Sequence, residues 1–169
     1  MLRPVEKYGA AGLDRPAQPV ETFDVALGQL IDDMIDTMYA APGVGLAAPQ
    51  IGVPLRVCVI DLSIGKRGGE VLTLVNPEFV SRDGMQLEEE GCLSLPGFTA
   101  TVARPANVTV RAWDRTGAER IIKGEGLLAR ALQHEIDHLD GRLFLDRLRG
   151  IKRDLIVRKI RKMQRAGRW

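Results

Sequence analysis

The only two histidines of this 169-residue chain lie four residues apart, in Gln133-His134-Glu135-Ile136-Asp137-His138. On an α-helix that spacing turns the second side chain only about 40° from the first, so both imidazoles leave one face. Two imidazoles so placed can hold one divalent cation, and His-Glu-x-x-His on a helix is a metallohydrolase pattern. Glu135 is rotated by roughly 100° from His134, too far round to be an obvious third ligand. It stands instead where it can take a proton from a water polarised by the cation. The same string also arises by chance on amphipathic helices. Here His134 and His138 continue a stripe from Leu127 and Ala131, so they are expected to face inward. Two adjacent buried histidines with no shared partner would each carry a desolvation cost.

Two histidines need a further ligand, and the candidates are Cys58, Cys92 and carboxylates. Cys58 sits in the apolar run Arg56-Val57-Cys58-Val59-Ile60, where a thiol is ordinarily inert core. Cys92 follows three consecutive glutamates and stands beside Gly91, which allows close backbone approach. It is the better candidate. One thiolate and two imidazoles leave a fourth position open, the layout of a catalytic rather than a structural site. Ligands of this kind suit several metals, and on ligand chemistry alone zinc is the expected one.

A third chemical feature is Gly43-Val44-Gly45-Leu46-Ala47-Ala48-Pro49-Gln50. It fits a dinucleotide-binding fingerprint by spacing, but that fingerprint must follow a strand and open a helix. This segment follows a helical pattern and runs into Pro49, Gly52 and Pro54, so nucleotide binding is rejected. Its glycines can instead bring main chain against a bound peptide.

These residues need a scaffold. Leu27, Leu30, Ile31, Met34, Ile35 and Met38 share one helical face over Asp24–Tyr39, closed by Pro42-Gly43. Residues 42–54, punctuated by glycine and proline, read as loop or short extended structure. Leu55–Asp61 and Val71–Asn76 read as buried strands around a glycine-rich turn, and Asn107–Asp114 with Glu119–Lys123 as a hairpin. The histidine helix should run from Glu125 or Gly126 to Leu139. A last helix over Ile151–Gln164 places Ile151, Leu155, Ile156, Ile160 and Met163 on one stripe. Strands in the middle and helices toward the ends give an α+β domain, with mixed or antiparallel strands around the metal-binding helix. Residues 1–148 form the catalytic body and 149–169 a C-terminal basic amphipathic helix.

At 45% hydrophobic and 27% charged residues, the chain can bury one real core and is not disordered. Two cysteines make no disulfide framework and point to a reducing compartment. Neither a signal peptide nor an 18-residue apolar span is visible, so the expected location is the cytoplasm, with no membrane partner. The net charge of +2 hides an asymmetry. From Arg142 to Trp169 there are eleven Lys or Arg against Asp146 and Asp154, whereas the rest of the chain is acidic. A basic end of this kind either meets an anionic partner or is simply a solvated helix.

Taken together, the glycine segment ending in Gln50, the Glu90–Ser94 segment and the His134–His138 helix occur in the order of the three motifs of the peptide deformylase family, which the chain resembles over roughly 19–148. The resemblance implies a metal-dependent hydrolase that removes the formyl group from the N-terminal formyl-methionine of nascent polypeptides, releasing formate. It implies Cys92, His134 and His138 as metal ligands and Glu135 as general base and acid. Gln50, through its side-chain amide, and Leu93, through its backbone N–H, would hold the oxyanion. Gly43, Val44, Gly45, Leu46 and Gly91 would bind substrate, with Leu127, Leu128 and Ala131 as walls of the methionine slot. Ferrous iron is the usual metal of the family, with zinc, nickel or cobalt as substitutes. The ribosome, met through the basic helix, is the expected macromolecular partner, and DNA is not one. A zincin-like endopeptidase shares the helix motif but usually takes its third ligand from downstream of the helix. An RNA-binding module with a structural metal would account for the basic end but not for Glu135.

Overall fold

The computed structural model describes residues 1–169. Helix α1, Val25–Ala40, starts where the Asp24 carboxylate accepts a hydrogen bond from the Leu27 N–H at 2.9 Å, an N-cap worth about 1 kcal/mol. Its apolar face is the expected one: Leu27, Leu30, Ile31, Met34 and Met38 are buried. The segment read as loop or short extended structure contributes a short strand, β1, Gly45–Ala47, and one 3₁₀ turn, Ala48–Ile51. Strands β2, Val57–Ile60, and β3, Leu72–Asp83, follow. Strand β3 runs well beyond the expected end at Asn76. The chain passes Asn76-Pro77 by a shift of register against its partner, which is how a proline is tolerated inside a sheet.

Strands β4, Gln86–Gly91, and β5, Thr99–Arg104, form a separate two-stranded antiparallel sheet. The hairpin β6, Asn107–Trp113, and β7, Glu119–Glu125, is where the alternation placed it. The main sheet has the order β1-β2-β3-β6-β7 and is antiparallel throughout. Strand β7 runs straight into helix α2, Gly126–Leu139. The fold-back is tight enough that a side chain at Gly124 would meet Leu132 Cδ1 at 2.9 Å and the Ala129 nitrogen at 3.2 Å. The α+β architecture expected from the sequence is thus the one observed, with antiparallel sheets and three helices.

The core has three parts. Helix α1 packs on one face of the sheet. On the other, Ala129, Leu132, Ile136 and Leu139 of α2 pack against β2 and β6, with Cys58 in the middle and wholly buried. Cys58 is core, as read. The third cluster joins Leu95 and Val102 to Phe144, Leu145 and two residues of helix α3, Ile151–Arg165. Those two are Val157 and Ile160. The expected stripe is therefore rotated, because Ile151 and Leu155 are 71% and 48% exposed, and only the later turns of α3 meet the body. Beyond α3, the Trp169 indole N–H donates to the Tyr8 carbonyl at 2.9 Å and its ring packs 6.0 Å from that of Phe98.

Candidate functional site

The side of α2 that faces Glu90 of β4 and the turn after it carries the histidines. Leu127 is 57% exposed at one end, Ala131 and His134 line a cleft of ≈730 Å³, and His138 is fully buried at the other end. The predicted stripe exists, but it descends from solvent into the cleft. Opposite it, the turn after β4 presents Cys92. Its Sγ lies 3.3 Å from His138 Nε2, which lies 3.2 Å from His134 Nε2, and the three donor atoms all fall within 4.8 Å of one another.

The donor set fits a metal ion on grounds of charge and tautomer. His134 Nδ1 lies 2.7 Å from a Glu90 carboxylate oxygen. A carboxylate only accepts, so Nδ1 carries a hydrogen, and in the neutral ring Nε2 is then the lone pair aimed at the cluster. Two imidazole nitrogens and a sulfur converging this closely in a buried space repel one another unless something positive lies between them. Cys92, His134 and His138 could hold that ion, and Cys58 is too far into the core to join them.

Glu90 is itself held hard. Arg104 grips it with two bonds, of 2.8 and 2.7 Å, and Arg130 adds one at 2.8 Å. Arg104 also donates to Asp137 at 2.9 Å, and Arg147 donates to the same carboxylate at 2.6 and 3.2 Å. Burial would raise the Glu90 carboxyl, but the hydrogen bonds from Arg104 and His134 outweigh it and hold it well below the usual carboxylate range. This network runs from β4 and β5 to α2 and fixes the histidine from behind. Sequence reasoning missed it. The glutamate run before Cys92 was visible, but no spacing rule links Glu90 to Arg104 across a hairpin that had not been anticipated.

Glu135 points from α2 toward β1. It is 4% exposed, its Oε1 has no partner in the chain, and burial pushes its carboxyl up to about 7. A Cβ at Gly45 would stand 2.5 Å from Glu135 Oε2, so glycine lets β1 pass over the carboxylate without pushing it aside. Gln50, from the turn after β1, is 1% exposed. Its Nε2 donates to Ser94 Oγ at 3.1 Å and lies 3.7 Å from Cys92 Sγ. The Leu93 N–H makes no hydrogen bond within the chain, and the Leu93 side chain packs over Gly43.

Of the expected substrate contacts, Gly43, Val44, Gly45, Gly91, Leu127 and Ala131 line the cleft. Leu46 and Leu128 do not. Leu46 turns into the core against α1, because side chains alternate along β1, and Leu128 packs toward the sheet. The cleft also takes Phe98, Glu89 and Arg130, which had not been anticipated. Strand β1 pairs only with β2, and β4 only with β5, so each presents an unpaired edge to it. The Val44 carbonyl accepts from Asp61 on the β2 side, whereas the Ala47 N–H turns away from β2 to Gln50. By alternation, the main chain of Gly45 lies on the outer edge.

A buried carboxylate beside three convergent donors, at the floor of a cleft with two open strand edges, defines a hydrolase whose centre can hold a metal ion. Comparison with known proteins makes the assignment specific. The family model for polypeptide deformylase matches residues 2–154. The peptide deformylase of Acidobacterium capsulatum is 54% identical over 169 residues, covering 100% of this chain and 99% of that one. A crystal structure of a peptide deformylase from Legionella pneumophila superposes with a TM-score of 0.92 at 52% identity, covering 99% of this chain and 98% of the other. The peptide deformylase from Synechococcus elongatus, solved in complex with actinonin, gives 0.88 at 39% identity, covering 92% and 86%. The chain belongs to the peptide deformylase family, the enzymes that remove the N-formyl group from nascent peptides.

Proposed function

We propose that the chain hydrolyses the formamide at the N-terminus of formyl-methionyl peptides, with Cys92, His134 and His138 as metal ligands and Glu135 as the general base and acid. The observation that carries the reading is the Glu135 carboxylate, buried beside the three donors with one oxygen unpartnered and facing a peptide-sized cleft. Held by those ligands, a divalent cation, ferrous iron by the family's habit, supplies the Lewis acid that makes water nucleophilic near neutral pH. Glu135 accepts the proton of that water and returns it to the leaving amine. As the formyl carbon becomes tetrahedral, Gln50 and the Leu93 N–H donate to its oxygen, each worth about 3–4 kcal/mol in comparable sites. Gly45 and the open edge of β4 at Gly91 take the peptide main chain as an added strand. Leu127 and Ala131 border the slot for the methionine side chain.

Formate release decides the matter. Protein purified without oxygen and analysed for bound metal is expected to release formate from formyl-Met peptides. It should spare acetylated ones and leave internal bonds intact. Internal cleavage of unformylated peptides would instead establish an endopeptidase.

The basic helix fits an anionic partner, which for this activity is the ribosome, and the same reading puts the enzyme in the cytoplasm. No helix is long and apolar enough to cross a membrane. Removing everything after Arg149 is a poor test, because Val157 and Ile160 belong to the third core cluster, and each buried aliphatic side chain contributes about 1.5–3 kcal/mol. Charge reversal at the exposed Arg158, Lys159 and Lys162 leaves that packing alone. It is expected to abolish salt-sensitive co-sedimentation with ribosomes while leaving turnover of short formyl-peptides unchanged. Undiminished co-sedimentation would exclude this face as the contact.

A further inference from the structure

We propose that Ser94 is a positioning residue that aims the Gln50 amide at the reacting oxygen. The proposal rests on the deformylase reading, which makes Gln50 an oxyanion donor. A primary amide can serve that role only if two things are fixed: which end faces the cleft, and the plane in which its hydrogens lie. The first is fixed by the Ala47 N–H, which donates to Gln50 Oε1 at 3.0 Å. A flipped amide would set N–H against N–H at that contact. The plane is a separate matter, because the terminal torsion of a glutamine is broad.

Ser94 supplies that second restraint. Its Oγ accepts one Nε2 hydrogen at 3.1 Å, and the serine is fully buried. With one of the two amide hydrogens committed to the hydroxyl, the other is directed to the side of Cys92 Sγ, 3.7 Å from Nε2. That contact is long, so this second hydrogen stays available to a substrate oxygen. Ser94 does not itself line the cleft and therefore acts through Gln50. Its place is held independently: the Tyr8 N–H donates to the Ser94 carbonyl at 2.9 Å, and the Leu95 N–H closes the turn on the Cys92 carbonyl at 3.0 Å. One turn thus delivers a metal-ligating thiol, a free backbone donor and the hydroxyl that orients the second donor, on three consecutive residues.

The test is a double-mutant cycle on the metal-loaded enzyme with a formyl-Met peptide. Ser94→Ala is expected to lower kcat by about tenfold to a hundredfold, part of the loss that follows complete removal of such a donor, with KM changed by less than about twofold. Bound metal should be unchanged. Ser94→Thr, which retains the hydroxyl acceptor, should recover most of the rate. In a Gln50→Ala background, adding Ser94→Ala should cost nothing further. The proposal is overturned if Ser94→Ala keeps the wild-type kcat, if only KM moves, or if the loss is as large without Gln50. If Ser94→Ala does not fold, the same judgement falls on Ser94→Thr: a loss of rate as severe with the hydroxyl present as in Gln50→Ala overturns it. A wild-type chain that releases no formate would overturn the deformylase reading itself, a result distinct from an active enzyme indifferent to Ser94.

Discussion

Glu135→Gln is expected to reduce formate release by about 10²–10⁴-fold, the usual worth of a positioned acid–base group, while the protein stays folded and keeps its metal. The substitution preserves volume under Gly45, where a Cβ would already stand 2.5 Å from Glu135 Oε2, and removes only the capacity to take a proton. Glu135 is not one of the three convergent donors, so metal content should equal that of the wild type. Stability should hold or rise slightly, since a carboxylate whose Oε1 has no partner is being replaced by a neutral amide. The measurements are kcat on a formyl-Met peptide, elemental analysis and thermal unfolding, made on the same preparation. A variant retaining a tenth or more of the wild-type rate would remove Glu135 from the mechanism.

The second large effect lies behind the site. Arg104 is 3% exposed and bridges Glu90 on β4 to Asp137 on α2. Arg104→Met keeps much of the packing and withdraws one charge from a buried network. Breaking such a network by deleting one partner costs about 3–5 kcal/mol, because the remaining charges stay buried with less compensation. Arg130 and Arg147 still pair with Glu90 and Asp137, which places the expected loss at the lower end of that range. Metal affinity should fall as well, by about 10–100-fold, since Glu90 fixes the ring of His134. Urea unfolding of the metal-loaded protein measures the first effect and chelator competition the second. Destabilisation without weaker metal binding would show that the network supports the fold alone.

The contrast between these two residues shows how far local reasoning reached. Glu135 was legible because the histidine spacing fixes three directions on one helix, and helical geometry needs no tertiary information. The hairpin of β6 and β7 was legible because Val108, Val110 and Ala112 alternate with polar residues over one buried face. The β4–β5 hairpin is harder to read. β5 alternates only over Thr99-Ala100-Thr101-Val102 and ends on a buried Arg104, while β4 buries Glu90 at the end of a run of glutamates, a charge pair where an apolar alternation is expected. The rotated face of α3 has a similar cause. Ile151 and Leu155 satisfy a helical stripe, but which apolar residues are covered depends on where Leu95 and Phe144 lie.

What the sequence by itself determined is the set of candidates: two histidines four apart on one helix, a carboxylate between them, a thiol in a glycine-flanked segment, and three ordered motifs that resemble one family. Local geometry was sufficient for that. Only the tertiary structure decided that Glu90, drawn between Arg104 and Arg130, sets the tautomer of His134. It alone placed β1 so close over Glu135 that a side chain at Gly45 would displace the carboxylate, and brought the Ser94 hydroxyl to the Gln50 amide. Those contacts join residues far apart in the chain, and their partners are chosen by the packing of whole elements. No spacing along the sequence encodes them.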